Sequence, residues 1–262
     1  TSSWPSVSSA LAPVRRMPLP NSLAFDSKFP VGSKPILCYV TDRRSLQTAP
    51  QKGLLEPLLE KIEEVAAAGV DWIQIREKDL SGKGSATVAR GALNRLLKLA
   101  RPVQAQGRIS ARVLVNDRLD VALAEQAGGV HLGENSLPVD EAKRLIVASQ
   151  ASQTLPLDFL VGVSCHSLEA AQAAASAGAD YIFFGPVFAT PSKAAFGAPQ
   201  GIVRLTEVCR AVAVPVLALG GITLANAPSC FSAGASGLAG IRLFQDSVDP
   251  AELTRKLRQQ RF

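Results

Sequence analysis

Gln74, Arg76 and Lys78 stand at alternate positions in the stretch Val70-Asp-Trp-Ile-Gln-Ile-Arg-Glu-Lys78. Alternate residues of an extended chain share a face, so an amide, a guanidinium and an ammonium are presented together. A planar donor fork beside a compact point charge suits a phosphate group. The competing reading is a solvated strand end in which Glu77 neutralises its neighbours. Arg76, Lys78, Asn116 and Lys193 together carry too much positive charge for one monophosphate and suit a diphosphate. Asp117, next to Asn116, could hold Mg²⁺, which takes one or two carboxylates plus phosphate oxygens. Its alternative role is to cap a helix over 119–127. A second anion site is offered by Gly220-Gly221, where backbone N–H groups can approach an oxyanion and the following helix adds its positive end. A tight turn would use the same two glycines. His131 and His166 are the only histidines. His131 reads as a structural hydrogen-bonding residue, and His166 as the start of a capping stretch with Ser167 at the N-cap.

Regular elements must bring these scattered residues together. Short runs rich in β-branched and aromatic residues predict strands at 36–41, 71–76, 112–116, 129–132, 159–164, 181–185, 214–219 and 237–241. Helical patterns fall between them, at 54–68, 83–100, 119–127, 138–150, 167–177, 201–212, 225–233 and 250–260. Ala68-Gly69-Val70-Asp71 and Ala177-Gly178-Ala179-Asp180 mark places where a helix closes on glycine and the next strand opens. Strand–helix alternation repeated eight times predicts an α/β fold, a closed (β/α)8 TIM barrel. An open doubly wound sheet is the alternative, weakened because no GxGxxG turn follows the first strand. In a barrel, chemistry belongs at the carboxyl ends of the strands, where all the residues named above fall.

A chain of 262 residues, 47% hydrophobic, is long enough for one large core, placed here over residues 34–262. No apolar run approaches the roughly 18 residues of a membrane span, so no membrane partner is expected. The net charge of +6 is concentrated at the two ends. Arg15, Arg16, Lys28 and Lys34 against Asp26, and Arg255, Lys256, Arg258 and Arg261 against Glu252, account for all of it. The neutral body lacks the basic, aromatic-laced stripe of a nucleic-acid binder, and its local cation clusters suit small phosphorylated molecules. Cys38, Cys165, Cys209 and Cys230 are widely spaced with no CxxC pair, the pattern of buried thiols in a reduced, cytoplasmic protein. Residues 1–33 are rich in Ser and Pro and have no acid before Asp26; they read as an irregular extension outside the fold, with Met17 a candidate initiator. A homo-oligomer is possible.

The segments YVTDR, QIREKDL, LVNDRLDVALA, GVHLG, VGVSCHSLEAA, FFGPVFATPSK and ALGGIT, in this order over about 36–245, resemble the thiamine-phosphate synthases and their sister group, the thiazole tautomerases. The resemblance implies a transferase that joins hydroxymethylpyrimidine diphosphate to a thiazole phosphate, with Mg²⁺ as cofactor. It implies that Gln74, Arg76, Lys78, Asn116, Ser164 and Lys193 hold the pyrimidine diphosphate, with Arg76, Lys78, Lys193 and Ser164 as the catalytic set. Asp117 would bind Mg²⁺. Thr190, Ser192, Gly221 and the backbone at Ile241–Arg242 would receive the thiazole phosphate. Two positions depart from the family pattern. Gly133-Glu-Asn-Ser136 stands where the synthases have Gly-Gln-Glu-Asp, so Ser136 replaces a second metal carboxylate, and Arg242 stands where many synthases have Ser. The tautomerases use a His in the element matching Ser-Cys-His166, which keeps a thiazole isomerase as the alternative; a non-catalytic precursor-binding protein is the third reading.

Overall fold

The computed structural model describes residues 34–46, 55–80, 82–100, 111–150, 158–190 and 198–260. Residues 1–33, and with them Met17, lie outside the described residues, as do Ser192 and Lys193.

Eight parallel strands close into a barrel in sequence order: β1 (Ile36–Val40), β2 (Trp72–Ile75), β3 (Arg112–Asn116), β4 (Gly129–Leu132), β5 (Leu160–Cys165), β6 (Tyr181–Phe184), β7 (Val216–Leu219) and β8 (Gly237–Gly240). Closure is direct, with Ile36 opposite Gly237 and Tyr39 opposite Gly240. The helices of the outer layer are α1 (Leu55–Ala67), α2 (Gly82–Ala100), α3 (Leu119–Ala124), α4 (Val139–Gln150), α5 (Leu168–Ser176), α6 (Gly201–Ala211), α7 (Ala227–Ser232), α8 (Arg242–Gln245) and α9 (Pro250–Gln259). The open-sheet alternative is therefore excluded.

Each strand is buried on both faces, as parallel strands covered by helices must be. Leu37, Ile73, Ile75, Val113 and Val115 point outward into one continuous layer shared with the helices. In α1, Leu58, Ile62 and Val65 recur at the helical spacing and are fully buried in that layer. The alternate residues fill the barrel: Cys38, Val40, Trp72, Leu114, Leu160, Tyr181, Phe183, Leu217 and Ala239 form a separate inner cluster. Tyr181 is too large for its layer unless its neighbour is small. A Cβ on Gly162, opposite it across the β5–β6 ladder, would sit 2.0 Å from the Tyr181 ring, so glycine there makes room for the phenol.

One alternative is corrected. Asp117 does not cap α3: the capping position is Arg118, and Asp117 takes φ 62° with its N–H donated to the His131 carbonyl at 2.8 Å. The helix expected after Gly220-Gly221 is α7, which starts at Ala227. Ser167 does cap α5, accepting from the Ala170 N–H at 3.1 Å. The 3-10 turn Arg43–Ser45 after β1 and the single turn α8 after β8 were not anticipated.

Candidate active site

Parity along the strands decides which side chains reach the carboxyl-end mouth of the barrel. Trp72 belongs to the inner cluster, so Gln74 points inward one layer higher; Leu114 and Asn116 stand in the same relation on β3. Gln74 is buried and donates its amide to the Asn116 Oδ1 at 2.9 Å, joining β2 and β3 across the mouth. On β4, His131 is buried and faces the same space. Its Nε2 lies 2.9 Å from the Ser164 hydroxyl and its Nδ1 3.0 Å from the Tyr181 hydroxyl. Its ring stacks on Phe183, with centroids 4.2 Å apart. The top layer of the barrel is thus a polar ring, Gln74, Asn116, His131 and Ser164, over an aromatic floor of Trp72, Tyr181 and Phe183. His131 serves the structural role expected of it. Burial, with the nearby Arg76 charge adding to it, pushes its pKa down to about 3, so the ring is neutral at physiological pH.

Arg76 lies just past the end of β2 and is half-buried. Burial lowers its pKa, while Asp42 and Glu77 counter this through space. Among the described residues, no carboxylate forms a hydrogen bond with its guanidinium. Among the described residues, the Glu77 carboxylate forms no hydrogen bond with the Arg76 guanidinium. That carboxylate turns inward, accepting the Thr41 hydroxyl at 2.6 Å, the Arg43 N–H at 3.1 Å and the Arg43 guanidinium at 3.0 Å. Arg43 also forms a fork on Asp79, with both contacts at 2.7 Å. Thr41 accepts the Arg76 N–H at 3.0 Å, so the β1 and β2 loops are bolted together under the guanidinium. Lys78 is exposed on the same loop.

At the opposite side of the mouth, the segment after β6 lies across the end of β7. The Val187 and Phe188 N–H groups donate to the carbonyls of Leu219 and Gly220 at 2.8 and 3.0 Å. Gly220 and Gly221 have φ of 93° and 66°, and a Cβ would meet Pro186 at 2.6 Å or the Ala189 carbonyl at 2.6 Å. Both glycines are required by conformation and by this close approach. Thr190, half-buried, continues that segment, and Ser192 and Lys193 follow it beyond the described residues. After β8, Ile241 occupies the N-cap of α8 and Arg242 is exposed at its first position. The first N–H groups of a helix have no partner within it, and a barrel phosphate site commonly uses such a turn after the last strands.

The sequence profile of the family described as "Thiamine monophosphate synthase" matches residues 39–244, which spans every strand-end residue above. The chain belongs to this family. The thiamine-phosphate synthase of Roseiflexus castenholzii is 38% identical over 240 residues, covering 92% of this chain and 93% of that protein. That of Methanoculleus marisnigri is 42% identical over 195 residues, covering 74% and 82%. Among solved structures, the thiamine phosphate pyrophosphorylase from Pyrococcus furiosus aligns with a TM-score of 0.67 at 29% identity, covering 86% of this chain and 94% of the other.

The structure shows what Ser136, the residue at which the sequence departs from the expected metal-binding pattern, does in the fold. Its hydroxyl accepts the Gly133 N–H at 2.7 Å and its own N–H returns to the Gly133 carbonyl at 3.1 Å, closing the turn after β4. Among the described residues, no group of three or more His, Cys, Asp or Glu side chains is clustered as for a protein-only metal cage. Mg²⁺ bound through phosphate oxygens does not need such a cage, and the exposed Asp117 carboxylate at the mouth fits that mode. Tyr181 and Thr41 were not picked out from sequence, and Glu77 was read there only as a neutralising neighbour of Arg76 and Lys78. The only signal for Tyr181 was a large polar aromatic two residues before Phe183 on the same inward parity.

Proposed function

We propose that this transferase of thiamine biosynthesis condenses 4-amino-2-methyl-5-hydroxymethylpyrimidine diphosphate with thiazole phosphate, giving thiamine phosphate and diphosphate. The observation that carries the reading is Arg76: a half-buried guanidinium at the rim of an inward polar ring, engaged by no carboxylate hydrogen bond among the described residues. Holding a desolvated cation without a bonded counter-charge is costly unless an anion arrives to fill the place.

The pyrimidine diphosphate sits with its ring over the aromatic floor, and with Gln74, Asn116 and Ser164 as its polar contacts. Arg76, Lys78 and Lys193 take the diphosphate. Asp117 would hold Mg²⁺ against the same phosphates, and the ion would add positive charge that steadies the leaving group. The bond between the methylene carbon and the diphosphate oxygen breaks, and its electron pair leaves with diphosphate. The electron-rich pyrimidine ring stabilises the cation left behind. Arg76, fastened through its backbone to Thr41, stands in place before the charge develops, so little reorganisation is needed there. The thiazole phosphate is anchored by Thr190, Ser192, Gly221 and the backbone at Ile241–Arg242. Its ring nitrogen donates a lone pair to the methylene carbon, forming the new bond with little loss of freedom. No proton is abstracted, which accords with a neutral His131 and with a His166 whose Nδ1 is already committed to the Gly185 carbonyl. A cytoplasmic location fits the four cysteines, all free thiols.

A magnesium titration of turnover tests this reading. Activity that rises from near zero with added Mg²⁺ is expected. Isomerisation of a thiazole carboxylate phosphate without metal would point to a tautomerase instead. Binding of both precursors with no product would point to a non-catalytic protein.

A further inference from the structure

Ser164 hangs at the end of a buried chain of three polar groups, and proton counting along that chain determines what it can offer a substrate. The Tyr181 side chain is fully buried, and among the described residues the one hydrogen-bond partner of its hydroxyl is the His131 Nδ1 at 3.0 Å. Among the described residues, the hydrogen-bond partner of Nε2 is the Ser164 hydroxyl, at 2.9 Å. The ring is buried, and among the described residues both its nitrogens meet hydroxyls and neither meets a carboxylate, a setting that holds an imidazole in its neutral form. It therefore carries one proton, on one nitrogen or the other.

If Nδ1 carried it, the phenol would accept that bond and its own proton would be buried without an acceptor, the costlier arrangement. If Nε2 carries it, Tyr181 donates to Nδ1, Nε2–H donates to Ser164, and every buried group is satisfied. The Ser164 oxygen is then occupied on its inner side, and its own proton is directed into the mouth of the barrel.

We propose that Tyr181 and His131 are positioning residues that fix the His131 tautomer and so make Ser164 a hydrogen-bond donor to the bound pyrimidine diphosphate. Ser164 then selects for an acceptor atom on that substrate, a ring nitrogen or a phosphate oxygen, and against a donor in the same place. The substrate half of this inference rests on the function proposed above; the tautomer half does not.

The chain has two histidines, so ¹⁵N-labelled imidazole spectra of the full-length protein are simple to assign, with His166→Gln identifying the second ring. His131 is expected to show an unprotonated Nδ1 and a protonated Nε2. His166, whose Nδ1 donates to the Gly185 carbonyl, supplies an internal contrast with Nδ1 protonated. In Tyr181→Phe, which keeps the ring and removes the phenol, the His131 pattern is expected to become mixed or reversed. KM for the pyrimidine diphosphate should rise about five- to tenfold, the loss of roughly one hydrogen bond, with KM for the thiazole phosphate unchanged.

A protonated Nδ1 on His131 in the unsubstituted protein overturns the proposal without need of any variant. An altered tautomer in Tyr181→Phe with unchanged KM for the pyrimidine overturns the substrate half. An unprotonated Nδ1 in a protein that makes no thiamine phosphate would leave the tautomer half standing and count against the function reading instead.

Discussion

Arg76 is held half out of water by its position just past β2, with its backbone fastened to Thr41 and its charge balanced only through space. In the proposed role of clamping a diphosphate, a fork of donors is not replaced by an ammonium. Arg76→Lys is therefore expected to lower kcat/KM for the pyrimidine diphosphate substantially, and Arg76→Gln by about a hundredfold or more, with the thermal midpoint little changed; steady-state kinetics and a melting curve check both. His131 makes a different prediction, on stability. The unfolded chain protonates this histidine near its ordinary value, whereas the folded protein resists until about pH 3. Below pH 6.5 the unfolded state therefore binds more protons, and stability drains away as the pH falls. Between pH 6.5 and 5 this one residue should cost about 2 kcal/mol, and urea unfolding of His131→Gln should show a pH slope shallower by that amount. Some of this was open to inspection from the residues alone: the alternation of Gln74, Arg76 and Lys78 pointed to an anion clamp. The inward turn of Glu77 was not, because a run Arg-Glu-Lys does not say which of its charges the neighbouring loop will claim.

At the scale of elements, the site depends on the β1 and β2 loops being one unit. The Glu77 carboxylate is almost wholly buried, with Arg43 as its ion-pair partner at 3.0 Å. Arg43→Ala would leave that carboxylate without its cation and is expected to destabilise the protein by about 2–3 kcal/mol. Denaturant melts give the stability. The same variant should raise KM for the pyrimidine diphosphate more than for the thiazole phosphate, since the loosened loop carries Arg76 and Lys78. The strands were legible because their apolar runs recur eight times, some after a helix that closes on glycine as at Gly69 and Gly178, and observed ends such as those of β3 and β4 coincide with the expected ones. The turn α8 was not legible: Arg-Leu-Phe-Gln is one turn long, too short for any periodicity. The conformation of Asp117 was equally hidden. Asp tolerates a positive φ better than most residues, but nothing in Asn-Asp-Arg separates that choice from a helix cap.

For the molecule as a whole, the two faces of the barrel divide stability from chemistry. The polar ring, Arg76 and the glycine turn gather at the carboxyl ends. The amino end is closed by Arg258 of α9, which donates to the Pro35 carbonyl at 2.8 Å, the Gly69 carbonyl at 2.6 Å and the Asp71 carboxylate at 2.9 Å. Asp71 in turn accepts the Leu37 N–H at 2.8 Å, so the last helix is stitched to the start of β1 and β2. Arg258→Ala is expected to cost about 1–3 kcal/mol in unfolding free energy while both KM values stay within twofold, the reverse of the Arg76 outcome. The register that brings Tyr181 of β6 under His131 of β4 belongs to this scale too. It arises only when three strands pair side by side, with Gly162 of β5 between them, and no local pattern announces it.

The most direct measurement is the product itself. The protein is incubated with hydroxymethylpyrimidine diphosphate and thiazole phosphate, with and without Mg²⁺, and thiamine phosphate and diphosphate are quantified by mass spectrometry. The account predicts magnesium-dependent formation of the two in equal amounts, strongly reduced in Arg76→Gln. No thiamine phosphate with Mg²⁺ present, or the same yield from Arg76→Gln, would contradict it.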